Sequence, residues 1–96
     1  MTVRTFRKKP VTVRAVQWTG DNEQELVEFT GGKFMAVAPE DRGDDPEITG
    51  QVFDYLHGTW VGVKTGQHVV EGVRREFYPI DESVLAETYE AVAGDG

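Results

Sequence analysis

The chain has 96 residues, of which 39% are apolar and 28% charged, and its net charge at pH 7 is −7. This composition is typical of one folded domain and too apolar for a disordered chain, and no apolar run approaches the roughly 18 residues of a membrane span. The absence of cysteine excludes disulfide bonds, thiol catalysis and cysteine-based zinc sites. Because the first ten residues lack the apolar segment of a secretion signal, we expect an intracellular protein.

Charge is distributed unevenly along the chain. Residues 1–14 carry five basic side chains and no acidic one, which leaves −12 on the remaining 82 residues. We expect residues 1–9 to form a basic arm. Either its Arg7, Lys8 and Lys9 contact nucleic-acid phosphates, or the arm pairs with the protein's own acidic surface and with solvent. The second interpretation is preferred, because nucleic-acid-binding proteins usually present a broad basic face and an acidic body repels a polyanion.

Residues 10–18 predict the first strand, because Val11, Val13 and Ala15 alternate with polar residues. The alternation slips at Ala15-Val16, which is typical of a bulge or of a strand that is buried on both faces.

A helix is predicted over residues 21–30. Asp21 is a good N-cap residue, and Gln24 follows it at the spacing of a capping box. Gly31-Gly32 ends the helix where a left-handed residue is favoured.

The remaining elements are short. Residues 33–38 predict a second strand, and residues 39–50 predict a mobile acidic loop. Two hairpins follow, with strands at 51–56 and 59–63 around a two-residue His57-Gly58 turn, and at 67–70 and 73–78 around Glu71-Gly72. Asp81 begins a short helical turn, residues 88–92 predict a last strand, and residues 93–96 predict a frayed tail.

These elements predict a single α+β domain over residues 1–96. It has a mostly antiparallel sheet of about six or seven short strands, which could curl towards a small barrel. One helix packs on the sheet, and a short second helical turn follows.

The first hairpin predicts an aromatic face. A two-residue turn pairs Tyr55 with Trp60 and Phe53 with Gly62, so that the three rings share one face and the Phe53 ring lies over the glycine. The opposite face is also apolar, and one helix covers only one of the two. The rings therefore form either the core under the helix or a surface for a ligand or a second copy, and we expect a homodimer.

The second hairpin offers a candidate ligand site. By strand alternation Arg74, Glu76 and Tyr78 share one face, and a guanidinium beside a tyrosine could hold a carboxylate, a phosphate or a nucleobase. The alternative is a solvated strand face with an internal Arg–Glu pair. The same register places His68 opposite Arg75.

No catalytic constellation is evident. His57 and His68 lack the spacing of a helical zinc site, the acidic loop lacks the spacing of a calcium loop, and nothing points to a base for Ser83. We therefore expect no metal, no cofactor and no membrane partner, and we lean against an enzyme.

Several segments, taken together, resemble a widespread set of small proteins encoded by bacteriophages and prophages. The segments are Phe6-Arg7-Lys8-Lys9-Pro10-Val11, Ala15-Val16-Gln17-Trp18-Thr19-Gly20, Gly72-Val73 with Glu76-Phe77-Tyr78-Pro79, and Thr88-Tyr89-Glu90. The resemblance runs from about residue 6 to residue 91, with the acidic loop unmatched. That family usually has Gly-Asp-Trp in place of Gly66-Gln67-His68, a glycine in place of Arg75, and a phenylalanine near Leu85.

The resemblance implies a phage accessory protein in the cytoplasm of the host bacterium, and it implies no particular activity. We expect a non-enzymatic binding module that engages a host protein or sequesters a small anionic ligand. Two alternatives stay open. The first is nucleic-acid contact through the basic arm, or interference with nucleic-acid enzymes by the acidic body. The second is a small enzyme without a recognisable motif.

Overall fold

The computed structural model describes residues 3–5 and 12–90. Within this part of the chain there are six strands, two α-helices and one 3₁₀ turn. In chain order they are β1 (Arg14–Gln17), α1 (Glu23–Thr30), β2 (Phe34–Ala36), the 3₁₀ turn (Pro39–Asp41), β3 (Ile48–Asp54), β4 (Thr59–Lys64), β5 (His68–Glu71), β6 (Phe77–Ile80) and α2 (Glu82–Thr88).

The strands form two antiparallel sheets of three strands each, in the orders β1-β5-β6 and β2-β3-β4. The predicted α+β class and antiparallel pairing are confirmed. The strands do not close into a barrel, because the described residues give two separate sheets. The strand predicted at 88–92 is wrong over its described part, since Thr88 ends α2 and the next two residues are irregular.

The first strand is shorter than predicted and regular. Ala15 pairs with Val70 and Val16 with Val69 without interruption, so no bulge occurs at the slip in the alternation. Arg14 opens the strand, and its guanidinium contacts the Glu71 carboxylate at 2.9 Å. One of the five basic residues in the first 14 therefore pairs with an acid of the body, while Arg7, Lys8 and Lys9 lie outside the described residues.

Helix α1 begins one residue later than a cap at Asp21 predicts. Asn22 occupies the N-cap position, and no side chain caps the helix. The Asn22 carboxamide oxygen instead accepts the Thr19 backbone N–H at 2.9 Å, and Asp21 accepts the Thr19 hydroxyl at 2.6 Å. The predicted capping box is wrong because these side chains hold the turn that leads into the helix.

The predicted end of α1 is confirmed. Gly31 and Gly32 have φ of 67° and 93°, and their N–H groups bond to carbonyl oxygens of the last turn of the helix. The left-handed conformation at these two positions is strained for any residue with a Cβ, and glycine avoids that strain.

The β3–β4 turn has four residues, 55–58, in place of the predicted two. Asp54 pairs with Thr59 and Phe53 with Trp60. The cause is the Asp54 carboxylate, which accepts the backbone N–H groups of Leu56 at 3.0 Å and His57 at 3.3 Å. An aspartate that bonds to the backbone two residues on favours a local turn. The register differs from the predicted one by two residues, so the same side chains keep the same faces.

The β5–β6 connection is also longer than predicted, because residues 72–76 form a loop. His68 pairs with Ile80 and Glu71 with Phe77, so the predicted position of His68 opposite Arg75 is wrong. Arg75 has φ of 64° and is the one described residue other than glycine with a left-handed backbone.

The core lies between the sheets and α1. It consists of Trp18, Leu26, Phe34, Val52, Val63, Val69 and Phe77. Trp18 and Phe34 meet edge to face at 4.9 Å between ring centroids, and Phe29 of α1 meets Phe77 at 5.6 Å. The side of the β3–β4 hairpin that carries Val52 and Val63 therefore faces the core.

The predicted loop at 39–50 is shorter in the structure. It begins with the 3₁₀ turn, and β3 already starts at Ile48. A bulge between Ile48 and Gly50 joins the end of this loop to the regular part of the strand.

Candidate binding face

The side of the β2-β3-β4 sheet that points away from the core carries a row of three side chains. Phe53 pairs with Trp60, and the Phe53 N–H donates to the Lys33 carbonyl at 2.8 Å, which places Lys33 on the other side of Phe53. The Phe53 and Trp60 rings meet edge to face, with centroids 5.5 Å apart. Trp60 remains 42% exposed. The interpretation of these rings as core under the helix is therefore wrong.

A second row lies beside the first. Gln51 pairs with Met35 and with Gly62, and its amide contacts the Met35 sulfur at 2.8 Å. A Cβ on Gly62 would lie 2.9 Å from Ile48. The glycine thus makes room for Ile48, and not for the Phe53 ring as predicted.

We call this surface the outer face. It consists of Lys33, Met35, Ile48, Gln51, Phe53, Trp60, Gly62 and Lys64. Its eight residues include two lysines, Lys33 just before β2 and Lys64 in β4, and no acid, in a chain with 17 acidic and 10 basic residues. Glu47 lies at its rim, 3.5 Å from the Lys64 ammonium group. The outer face is therefore apolar at its centre and less negative than the rest of the molecule.

Tyr55 does not pair with Trp60, because the longer turn removes it from the strand. Its hydroxyl donates a hydrogen bond to the Arg74 carbonyl oxygen in the β5–β6 loop. The predicted interface residue Tyr55 and the predicted ligand residue Arg74 thus meet each other across the two sheets.

The remaining predicted ligand residues are occupied by contacts within the chain. The Glu76 carboxylate accepts the Arg74 backbone N–H at 2.9 Å, and it lies over Gly72, where a Cβ would overlap it. Burial raises the pKa of Tyr78, and a hydrogen bond with Tyr89 and the nearby charge of Glu76 also raise it. Arg74 and Glu76 lie in the loop while Tyr78 lies in β6, so the three do not form one strand face.

The histidines take separate positions. His57 Nδ1 lies 2.6 Å from the Asp54 carboxylate, and this hydrogen bond is the main cause that lowers the pKa of Asp54. His68 Nε2 is buried without a hydrogen-bond partner, with the Glu82 carboxylate 4.0 Å away. Among residues 3–5 and 12–90, no group of three or more histidine, aspartate or glutamate side chains is arranged to hold a metal ion.

Five residues of the outer face were not predicted there: Lys33, Met35, Ile48, Gln51 and Lys64. Alternation after the glycines that end α1 predicts Lys33 and Met35 on one side of β2 and Phe34 on the other. Ile48 carries no such signal, because the bulge that orients it follows an irregular loop.

Comparison with protein-family models, with curated proteins and with solved structures finds no match. Neither helix in the described part of the chain has the length and apolar character needed to cross a membrane.

Proposed function

We propose that this chain is a non-enzymatic binding module, an accessory protein of the bacteriophage type that its sequence resembles, and that it binds its partner through the outer face. The observation that carries the proposal is the Phe53–Trp60 pair at the centre of that face, with Trp60 42% exposed. Aromatic residues in an exposed apolar patch are typical of protein interfaces.

The outer face supports a protein partner better than the β5–β6 loop supports an anionic ligand. Glu76 and Tyr78 already bond within the chain, and Glu76 adds negative charge beside Arg74. An anion at Arg74 would meet this carboxylate, whereas an apolar partner at the outer face meets no acid on the strands.

A second copy of the chain is the partner that we propose first. In a two-fold dimer the same patch meets itself. Two chains with a net charge of −7 repel each other, and the repulsion is smallest at the outer face, which carries two lysines and no acid. A host protein that uses the same face is the alternative occupant.

The test is the solution mass of the wild type and of Trp60→Ser by light scattering at high micromolar concentration. We expect a dimer for the wild type and a monomer with near-native far-UV circular dichroism for the variant. Val84→Ser is the matched control, because Val84 is also 42% exposed but lies on α2. This control should remain dimeric.

A monomeric mass for the wild type in light scattering would contradict the proposed dimer. Affinity purification from a bacterial lysate with the same three proteins then tests the host partner. We expect a protein that the wild type and Val84→Ser retain and that Trp60→Ser loses. Equal retention by all three proteins would overturn the role of the outer face.

A further inference from the structure

An open groove of about 460 Å³ lies between the start of α1, the end of β2 and the β4–β5 turn. We call it the Trp18 groove, and the residues that matter in its lining are Trp18, Glu23, Ala36–Pro39, Arg42, Thr49 and Thr65. Its volume is in the range of small-molecule sites, about 300–1,000 Å³. It does not overlap the outer face.

Trp18 and two hydroxyl groups in the groove form a hydrogen-bonded chain. The Trp18 Nε1–H donates to Thr49 Oγ1 at 2.9 Å, and Thr49 Oγ1 lies 2.6 Å from Thr65 Oγ1. Indole N–H is only a donor, so Thr49 accepts from it and can pass its own hydrogen to Thr65. In that arrangement the Thr65 hydroxyl has its hydrogen left to donate into the groove.

The groove also holds one side chain of each charge. Arg42 Nε donates to the Val37 carbonyl at 3.4 Å, and Glu23 accepts the Ala36 N–H at 2.9 Å. Neither side chain forms an ion pair with any residue in the described part of the chain. A guanidinium presents several N–H donors in a fixed plane, which suits a carboxylate.

We propose that the Trp18 groove binds a small α-amino acid with a short apolar side chain. Arg42 and the Thr65 hydroxyl would take its carboxylate, Glu23 its ammonium group, and the apolar segment Ala36–Pro39 its side chain. A simple anion fits less well, because Glu23 lines the same groove in an acidic chain. This inference is independent of the dimer and of the host partner proposed above.

The probe is L-valine, added to the ¹⁵N-labelled protein while the amide resonances are followed by NMR. Isovalerate, which is valine without the ammonium group, and isobutylamine, which is valine without the carboxylate, are the half-ligand controls. With titration to about 10 mM, ten times a millimolar Kd, we expect valine to shift the resonances of the groove. Each half-ligand should bind at least about tenfold more weakly, because each lacks one charge-assisted contact.

Matched variants assign the contacts. Arg42→Gln and Glu23→Gln each remove one charge from the groove, and the glutamine at position 23 can still accept the Ala36 N–H. Arg74→Gln and Glu87→Gln make the same changes at exposed positions elsewhere. We expect the two groove variants to weaken valine binding at least about tenfold, and the two controls to leave it unchanged.

Three results would overturn the proposal: no shift of groove resonances by valine at the highest concentration, isovalerate binding as tightly as valine, or equal losses in groove and control variants. The amide spectrum of each variant without ligand checks that it is folded.

Discussion

The Tyr55 hydroxyl donates a hydrogen bond to the Arg74 carbonyl oxygen. Tyr55 belongs to the β3–β4 turn and Arg74 to the β5–β6 loop, so this bond connects the turns of two different sheets. Both loops are longer than strand alternation predicts, and their length is what allows the two residues to meet.

Removal of this hydroxyl should loosen the connection between the sheets. We expect Tyr55→Phe to lower the free energy of unfolding by about 0.5–1.5 kcal/mol, the net contribution of a typical hydrogen bond within a protein. Urea denaturation of the wild type and the variant measures the difference. An unchanged midpoint would mean that the bond contributes nothing in solution.

The backbone at Arg75 gives a second prediction. A left-handed backbone costs a residue with a side chain about 1–2 kcal/mol, and glycine avoids this cost. Glycine also makes the unfolded chain more flexible, which offsets about 0.5–1 kcal/mol of that gain. We therefore expect Arg75→Gly to stabilise the protein by about 0.5–1 kcal/mol. Arg75→Ala is the control for the lost side chain and should not stabilise. Thermal unfolding of the wild type and the two variants measures these differences. An equal increase in stability for Arg75→Gly and Arg75→Ala would mean that the left-handed backbone at residue 75 is not the cause.

The β3–β4 turn should be sensitive to acid. The hydrogen bond with His57, together with bonds from backbone N–H groups, lowers the pKa of Asp54 in the folded state. A lowered pKa stabilises the fold above the unfolded carboxyl value of about 3.9, and this stabilisation is lost as the pH falls through the folded value. Asp54→Asn keeps a side-chain oxygen but no charge. Denaturation between pH 2 and 6 should show the advantage of the wild type over this variant shrinking below about pH 4. A stability difference between the wild type and Asp54→Asn that stays constant from pH 2 to 6 would contradict a lowered pKa of Asp54.

Gly50 tests the packing of the core. A Cβ there would lie 2.8 Å from Phe34 and 3.1 Å from the Trp18 indole nitrogen, whereas nothing lies within 4 Å of a Cβ at Gly43. We expect Gly50→Ala to cost about 1–3 kcal/mol through displacement of these rings. Gly43→Ala should change stability by less than about 0.5 kcal/mol. Parallel urea titrations of both variants measure the contrast, and equal stabilities would mean that the rings move aside without cost.

The sequence contains enough to predict which side chains share a face of the central hairpin. Alternation places Phe53 and Trp60 on one face of the hairpin and Val52 and Val63 on the other. The structure shows the same distribution of these four residues over the two faces. The predicted pairing fails because the Asp54 side chain lengthens the turn. An error of two residues preserves the faces, so Phe53, Trp60 and Gly62 share the predicted face although their register differs, whereas Tyr55 lies in the turn and not on that face.

The arrangement of Arg74, Glu76 and Tyr78 could not be predicted by the same argument. Alternation holds only within a strand, and Arg74 and Glu76 lie before β6 begins. Nothing in the local sequence shows that Glu76 bonds to the Arg74 backbone or that Tyr78 meets Tyr89 at the end of α2. The Trp18 groove is likewise invisible in the sequence, because its charged residues Glu23 and Arg42 come from segments far apart in the chain.

The bulge between Ile48 and Gly50 has a consequence for insertions and deletions. One residue added between Gln51 and Val52 would exchange the sides of the part of β3 that follows it, so that Phe53 would enter the core and Val52 would leave it. An added residue within 42–47 leaves those sides unchanged, because these residues precede β3 and its bulge and take no part in the strand pairing. Length variation within residues 42–47 therefore leaves unchanged both the core side and the outer side of β3.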